Sequence, residues 1–332
     1  MPKPIAFLVF LIIEIILLPI TMIGTILVFI HFAVDFLFLK IRGKKISLTA
    51  YDPIFARWFL HAQGKREDDS AKQLWYALPG VSPITIWLMV SPTMWAMRVT
   101  GFTINMYNYP VHSSSNLFDA LGHRTRFFDD AMLSYLDHVE QVVILGAGWD
   151  TRAYGLARRE GVRVFEVDAV ETQTQKRNSL EIAKIDSSHV IFATVDFNKE
   201  SWLDALLRAG FDPGKPTFVL CEGVTLYLEA EAVEAMLQTV ATQLAKGSAI
   251  AFDYAAKHII DGDASLFYRL VVPMTKVAGE GWTFGIPTLT PAKEQLAAFL
   301  EQNGLTLTKY EPIGKGDKKQ RLIGGLALAV ND

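Results

Sequence analysis

Four stretches of the chain carry residues whose types and order could do chemistry. Gly146-Ala147-Gly148-Trp149-Asp150-Thr151 follows the apolar run at 141–145. Small residues at the C-terminal end of a first strand let a ligand approach the backbone, and ligands of open α/β sheets bind there. Asp168 stands 22 positions after Gly146 and ends a second apolar run. A carboxylate there can accept both ribose hydroxyls of an adenosine-containing cofactor, although a strand-end acid could also simply cap a helix. Asp196 closes a third run, where it could accept the adenine amino group while Phe197 stacks on the ring. Glu222 closes a fourth, and the apolar Leu220 and Cys221 before it argue against a surface ion pair. Three acids ending three successive strands at one sheet edge together describe an adenosine pocket. Thr151 stands where the dinucleotide pattern needs its third glycine, which counts against a nicotinamide or flavin oxidoreductase.

These residues need a scaffold that brings strand ends together. Runs rich in Val, Ile and Phe at 141–145, 163–168, 190–196, 217–222 and 248–253 alternate with helix-compatible stretches at 171–184, 201–209 and 229–245. That alternation predicts a Rossmann-like α/β fold with a mostly parallel sheet. The last two runs, 305–311 and 322–330, have no helix between them and predict an antiparallel C-terminal hairpin, bringing the sheet to seven strands. Residues 255–290 break the rhythm and read as an insertion over the site. The core is expected over 136–332 and a helical cap over 41–135, with no internal repeat.

Ahead of the cap lies an apolar segment. Between Pro4 and Leu39 the only formally charged side chains are Glu14 and Asp35. The run is too long for a secretory signal and longer than the ~20 residues a spanning helix needs. Residues 1–40 are therefore expected to be a membrane anchor, either one tilted helix or a short hairpin broken near Pro19 and Gly24. The basic cluster Lys40, Arg42, Lys44 and Lys45 then places the following domain in the cytoplasm. A second apolar stretch at 84–99, with Trp87, Trp95 and an interrupting Pro92, fits an interfacial helix, a lid over an apolar pocket or a buried cap helix. A net charge of −3 gives no support for a nucleic-acid partner. One cysteine, Cys221, excludes an internal disulfide, and no metal site is expected.

Ordered blocks carry a family resemblance. Tyr51-Asp52-Pro53, the segment Arg124–Asp129, the run Val143–Tyr154, Phe165–Asp168 with Lys176-Arg177, and Cys221–Leu228 resemble the leucine carboxyl methyltransferase-like class I S-adenosylmethionine methyltransferases. The resemblance covers the chain from about Tyr51 onward. It implies S-adenosylmethionine as cofactor, Arg124 on its methionyl carboxylate, Gly146 along the methionyl part and Asp168 on the ribose. Asp196 and Phe197 would frame the adenine, and Glu222 would lie near the methionyl amine. Arg42, Lys44 and Lys45 are candidates for the family's N-terminal basic cofactor contact.

Methyl transfer is an in-line displacement, so proximity and alignment are the enzyme's main contribution. A carboxylate acceptor is already ionised, whereas a hydroxyl needs a base. Tyr227, Tyr254 and His258 are the only candidates, and as single residues they suit packing or orientation better. The expectation is O-methylation of a carboxylate or hydroxyl on a lipophilic small molecule at the membrane. A protein or peptide C-terminus as acceptor, and a catalytically silent membrane-bound scaffold, are the alternatives.

Overall fold

The computed structural model describes residues 1–41, 49–104, 108–114, 117–264, 268–269, 272–273, 276, 280–287, 292–314 and 322–332. The cluster at Arg42, Lys44 and Lys45 and much of the predicted insertion lie outside them.

Seven strands form one sheet: β1 (Gln141–Leu145), β2 (Arg163–Asp168), β3 (Val190–Thr194), β4 (Thr217–Cys221), β5 (Ala249–Ala255), β6 (Thr306–Ile313) and β7 (Gly324–Val330). Their order is β3-β2-β1-β4-β5-β7-β6. The first five pair in parallel, and β7 inserts antiparallel between β5 and β6. The Rossmann-like arrangement and the closing hairpin are as the hydrophobic runs predict. Alternate residues feed two cores. Val142, Ile144, Phe218 and Leu220 face a layer containing α5 (Leu117–Tyr135) and α6 (Val170–Ile182). Val143, Leu145, Val219 and Cys221 face α7 (Trp202–Arg208), α8 (Ala230–Gln243) and α10 (Ala292–Gln302). Burial on both faces explains why the strands read as continuous apolar runs. Chain order reverses direction between β1 and β4, which opens a crevice at their C-terminal ends.

The cap begins with α2 (Tyr51–Ala62) and α3 (Asp69–Trp75). Asp68 caps α3 by accepting from the Ala71 N–H at 2.8 Å, and Trp58 stacks on Trp75 with centroids 5.7 Å apart.

The N-terminal segment differs from one of its two expectations. Helix α1 (Lys3–Ile41) runs through Pro19 and Gly24 without a break, so there is no hairpin within it. Its stretch Lys3–Asp35, mean hydropathy 2.8, is long and apolar enough to cross a membrane. Helix α4 (Pro83–Thr100) likewise continues through Pro92. A proline deletes one backbone hydrogen bond, but here the two helices support each other side by side. At Gly24 a β-carbon would run into the Met89 backbone, so the helices touch main chain to main chain. Helix α4 contributes no residue to the pocket described below, which removes the reading of 84–99 as a lid.

Candidate active site

A pocket of about 590 Å³ opens at the C-terminal ends of β1, β2, β4 and β5. The turn after β1 forms its floor. Gly146 and Gly148 both have positive φ, and a β-carbon on Gly146 would strike Val224. The bare backbone is therefore a steric requirement at this point. Asp168 lies across the turn, its Oδ2 accepting from the Gly148 N–H at 2.6 Å and its Oδ1 from the Ala169 N–H at 2.7 Å. Burial raises its pKa, against the opposing pull of these two N–H groups.

Beside the turn lies a buried ion network. Arg152 donates to Asp129 Oδ1 at 2.6 Å, to Asp150 Oδ2 at 2.5 Å and to Glu222 Oε2 at 2.6 Å. Arg57, from α2, donates to the same Asp150 oxygen at 2.9 Å. Arg124, from α5, donates to Glu222 Oε1 at 3.0 Å and to Asp253 Oδ2 at 3.2 Å. Burial alone would raise the Glu222 pKa, but Arg152, Arg124 and Arg57 outweigh it and hold the carboxyl below its ordinary value. At Asp253 burial, with Glu222 adding to it, outweighs Arg124 and the Gly223 N–H, and its pKa stays raised.

Among the described residues the wall carries five carboxylates, Asp52, Asp150, Asp168, Glu222 and Asp253, against Arg57 and Arg124, with Arg152 behind them, so an acidic excess remains. A cationic ligand is favoured there, because opposite charge acts strongly at low dielectric. The glycine cradle, the strand-end carboxylate and the acidic excess together fit the adenosyl sulfonium cofactor.

The predicted site residues separate into two groups. Arg124, Gly146, Asp168, Phe197, Glu222, Tyr227 and Tyr254 all line the pocket. Asp196 does not. Strand β3 stops at Thr194: the Val195 N–H makes the last rung of the parallel ladder to the Asp168 carbonyl at 3.0 Å, and Asp196 then heads a turn, its Oδ1 accepting from the Asn198 N–H at 3.2 Å. Asp196 points to solvent, pairs with Lys199 at 2.6 Å and lies outside the pocket lining that its predicted adenine contact would need it to join. Arg124 and Glu222 also differ in detail, since each is already engaged by the other. His258 lies on α9 (Lys257–Ile260), outside the pocket wall. Burial pushes the Tyr227 phenol up to about 12 and the Tyr254 phenol well above its usual value, so neither suits a base near neutral pH.

Residues not singled out for the site include Asp52, Arg57, Asp150, Asp253 and Trp282. Trp282 belongs to the described part of the predicted insertion. There Thr283 donates its N–H to the Leu226 carbonyl at 2.8 Å and its hydroxyl to the Leu228 carbonyl at 2.7 Å. Asp253 did have a signal, being one more acid at a strand end. Arg57 had none, since its partner lies 93 positions away.

The family model for leucine carboxyl methyltransferase matches residues 86–241. A protein of Streptomyces avermitilis, provisionally named an S-adenosyl-L-methionine-dependent methyltransferase, is 32% identical over 220 residues, spanning 62% of this chain and 73% of its own length. The chain belongs to the leucine carboxyl methyltransferase-like family of S-adenosylmethionine-dependent methyltransferases. A second such protein, from Mycolicibacterium gilvum, is 37% identical over 52% of this chain and 55% of its own length. Among solved structures, a provisionally named methyltransferase from Thermobifida fusca is 15% identical, with a TM-score of 0.48 over 78% of this chain and 94% of its own. The magnesium protoporphyrin IX methyltransferase of Synechocystis, solved with bound SAH, is 14% identical, with a TM-score of 0.40 over 68% of this chain and 91% of its own.

The family's cofactor supplies a methyl group on a positively charged sulfur. The pocket brings together the backbone at Gly146–Gly148, the buried Asp168 carboxyl, Phe197, Glu222 and Asp253.

Proposed function

We propose that this methyltransferase acts on an oxygen, carboxylate or hydroxyl, of a lipophilic small molecule, at a membrane to which α1 attaches it with the catalytic domain on the cytoplasmic side. The observation that carries the reading is the closeness of the apolar N-terminus to the pocket. Phe32 of α1 lies edge-on to Tyr51 with centroids 5.3 Å apart, and Tyr51 in turn lies 5.8 Å from Trp149 of the glycine turn. An acceptor dissolved in lipid would meet the enzyme where the pocket wall begins. The non-cofactor part of that wall supports the same view, with Leu226, Trp282, Ile313 and Ile323 around a few polar groups.

Among the described residues lining the pocket there is no histidine or lysine. No such side chain is there to deprotonate a hydroxyl, and a carboxylate acceptor needs no base, its charge being offset in this acidic pocket by the sulfonium of the cofactor itself. In this reading Asp168 binds the ribose and Phe197 packs on the adenine. The Glu222–Arg124–Asp253 cluster receives the methionyl end, with Arg124 exchanging a carboxylate partner for the cofactor's own.

The test uses labelled S-adenosylmethionine with lipid extracts in one arm and soluble peptides bearing free C-termini in the other. Label in an apolar product supports the proposal, and its release by mild alkali identifies a methyl ester rather than an ether. Label confined to peptides overturns it and favours a protein C-terminus, the reading the family model's own description would suggest.

A further inference from the structure

Helix α1 is fastened to the catalytic unit along most of its length. Near its start, Phe7 and Phe10 lie 5.2 and 5.0 Å from Phe102. Farther along, Glu14 accepts from the Thr93 hydroxyl at 3.3 Å, and Gly24 meets Met89. Toward its end Phe32 touches Tyr51, and Asp35 accepts from the Gly80 N–H at 2.8 Å. At 1.5 Å per residue the fastened stretch is about 42 Å long, more than the ~30 Å of bilayer hydrocarbon.

Helix α4 lies between α1 and the polar cap. Its Ile86, Val90 and Met97 are buried. Its flanks hold α2 alongside: the Tyr51 hydroxyl donates to the Pro79 carbonyl at 2.9 Å, and Arg98 donates to the Ala62 carbonyl at 3.3 Å. If α1 stood across a bilayer, α4 and the α2–α3 connection would be carried to the same depth. That connection bears Lys65 and Glu67, and charges carried into the hydrocarbon are costly.

The outer face has the opposite character. Exposed side chains there include Leu8, Ile15, Ile23 and Phe29 of α1 with Trp87 and Trp95 of α4. Polar groups on α1 are few, and two partly exposed ones, His31 and Asp35 at 43% and 37%, lie toward its C-terminal end. The Thr25 hydroxyl donates to the Thr21 carbonyl at 2.7 Å, while Glu14 and Asp35 face Thr93 and Gly80. A protein partner would call for a polar rim and about one hydrogen bond per 100–200 Å². A long face exposing this many large apolar side chains and so few polar groups suits hydrocarbon instead.

We propose that α1 and α4 together form an in-plane docking surface on a lipid bilayer, lying in one leaflet and not crossing it. This rests on the membrane-associated reading above. It adds that both ends of α1 stay on the same side, and that the pocket wall at Ala50, next to Tyr51, faces the leaflet from which an acceptor would enter.

Two measurements on the full-length chain test it. Flotation with phosphatidylethanolamine–phosphatidylglycerol vesicles reads membrane binding, for the native chain and for a Trp87→Glu, Trp95→Glu double variant. The native chain should float, and the double variant should partition at least tenfold less. Unchanged partition of the variant overturns the inference, because a spanning α1 would not need α4. Failure of the native chain to float sinks the membrane reading itself. Separately, Lys3→Cys and Lys199→Cys are treated with an impermeant maleimide in sealed vesicles of each orientation from expressing cells. Labelling of both from the same side is expected. Labelling from opposite sides establishes a span and overturns the in-plane surface while leaving the membrane reading intact.

Discussion

Arg152 Nη1 lies 2.6 Å from Glu222 Oε2, so a guanidinium from the loop after β1 is held against the acid that follows β4. The same side chain reaches back to Asp129 on α5, tying sheet to cap. Arg152→Met would leave Asp129, Asp150 and Glu222 short of a buried partner. We expect a stability loss of about 3–5 kcal/mol, read by thermal unfolding. Arg152→Lys should recover only part of it, because an ammonium cannot serve three carboxylates through a planar fork.

Asp168 and Asp196 should separate cleanly in cofactor binding. Asp168→Asn removes a charged acceptor worth about 1.5–3 kcal/mol, so affinity for S-adenosylhomocysteine by calorimetry should fall tenfold or more. Its melting temperature should fall modestly, since one of the Gly148 and Ala169 N–H groups would face an amide NH2 in place of an oxygen. Asp196→Asn should change affinity less than twofold, because its carboxylate faces solvent beside Lys199. A large loss for Asp196→Asn would restore the adenine role expected from the sequence.

Acid sensitivity should have an identifiable source. Burial would raise the Asp129 pKa, but Arg152 and Arg66 outweigh it and hold the group below its ordinary value. A depressed folded pKa stabilises above the unfolded value of ~3.9 and is lost as pH falls through the folded value. Melting temperature should therefore drop steeply below about pH 4. Asp129→Asn should be less stable at pH 7 and show a shallower drop over that acidic window.

Cys221 should be silent to thiol reagents in the native protein. It is fully buried in β4, and burial pushes its pKa up. One thiol per chain should react with Ellman's reagent after denaturation and essentially none before.

The hydrophobic runs made the sheet legible, because strands buried on both faces write their burial into an unbroken stretch of Val, Ile, Leu and Phe. Strand ends were less so. Asp168 sits where its run stops, whereas β3 ends two residues before Asp196, which heads a turn and accepts the Asn198 N–H on its own carboxylate. A short turn of that kind leaves no trace in periodicity. The ion network was hidden for a related reason. Arg57 and Asp150 are far apart in the chain, and nothing local distinguishes a buried arginine from a solvated one. Likewise Pro19 and Pro92 read as breaks until the mutual support of α1 and α4 is seen.

The backbone contact at Gly24 also bears on handling the protein. Removing residues 1–41 is the obvious way to make a soluble enzyme. It would strip the cover from Met89 and Phe102, both packed against the core, and leave α4 bare on two sides at once. The shortened chain should aggregate unless α4 is made polar in the same step. Gly24→Leu should produce a milder form of the same fault in the intact chain.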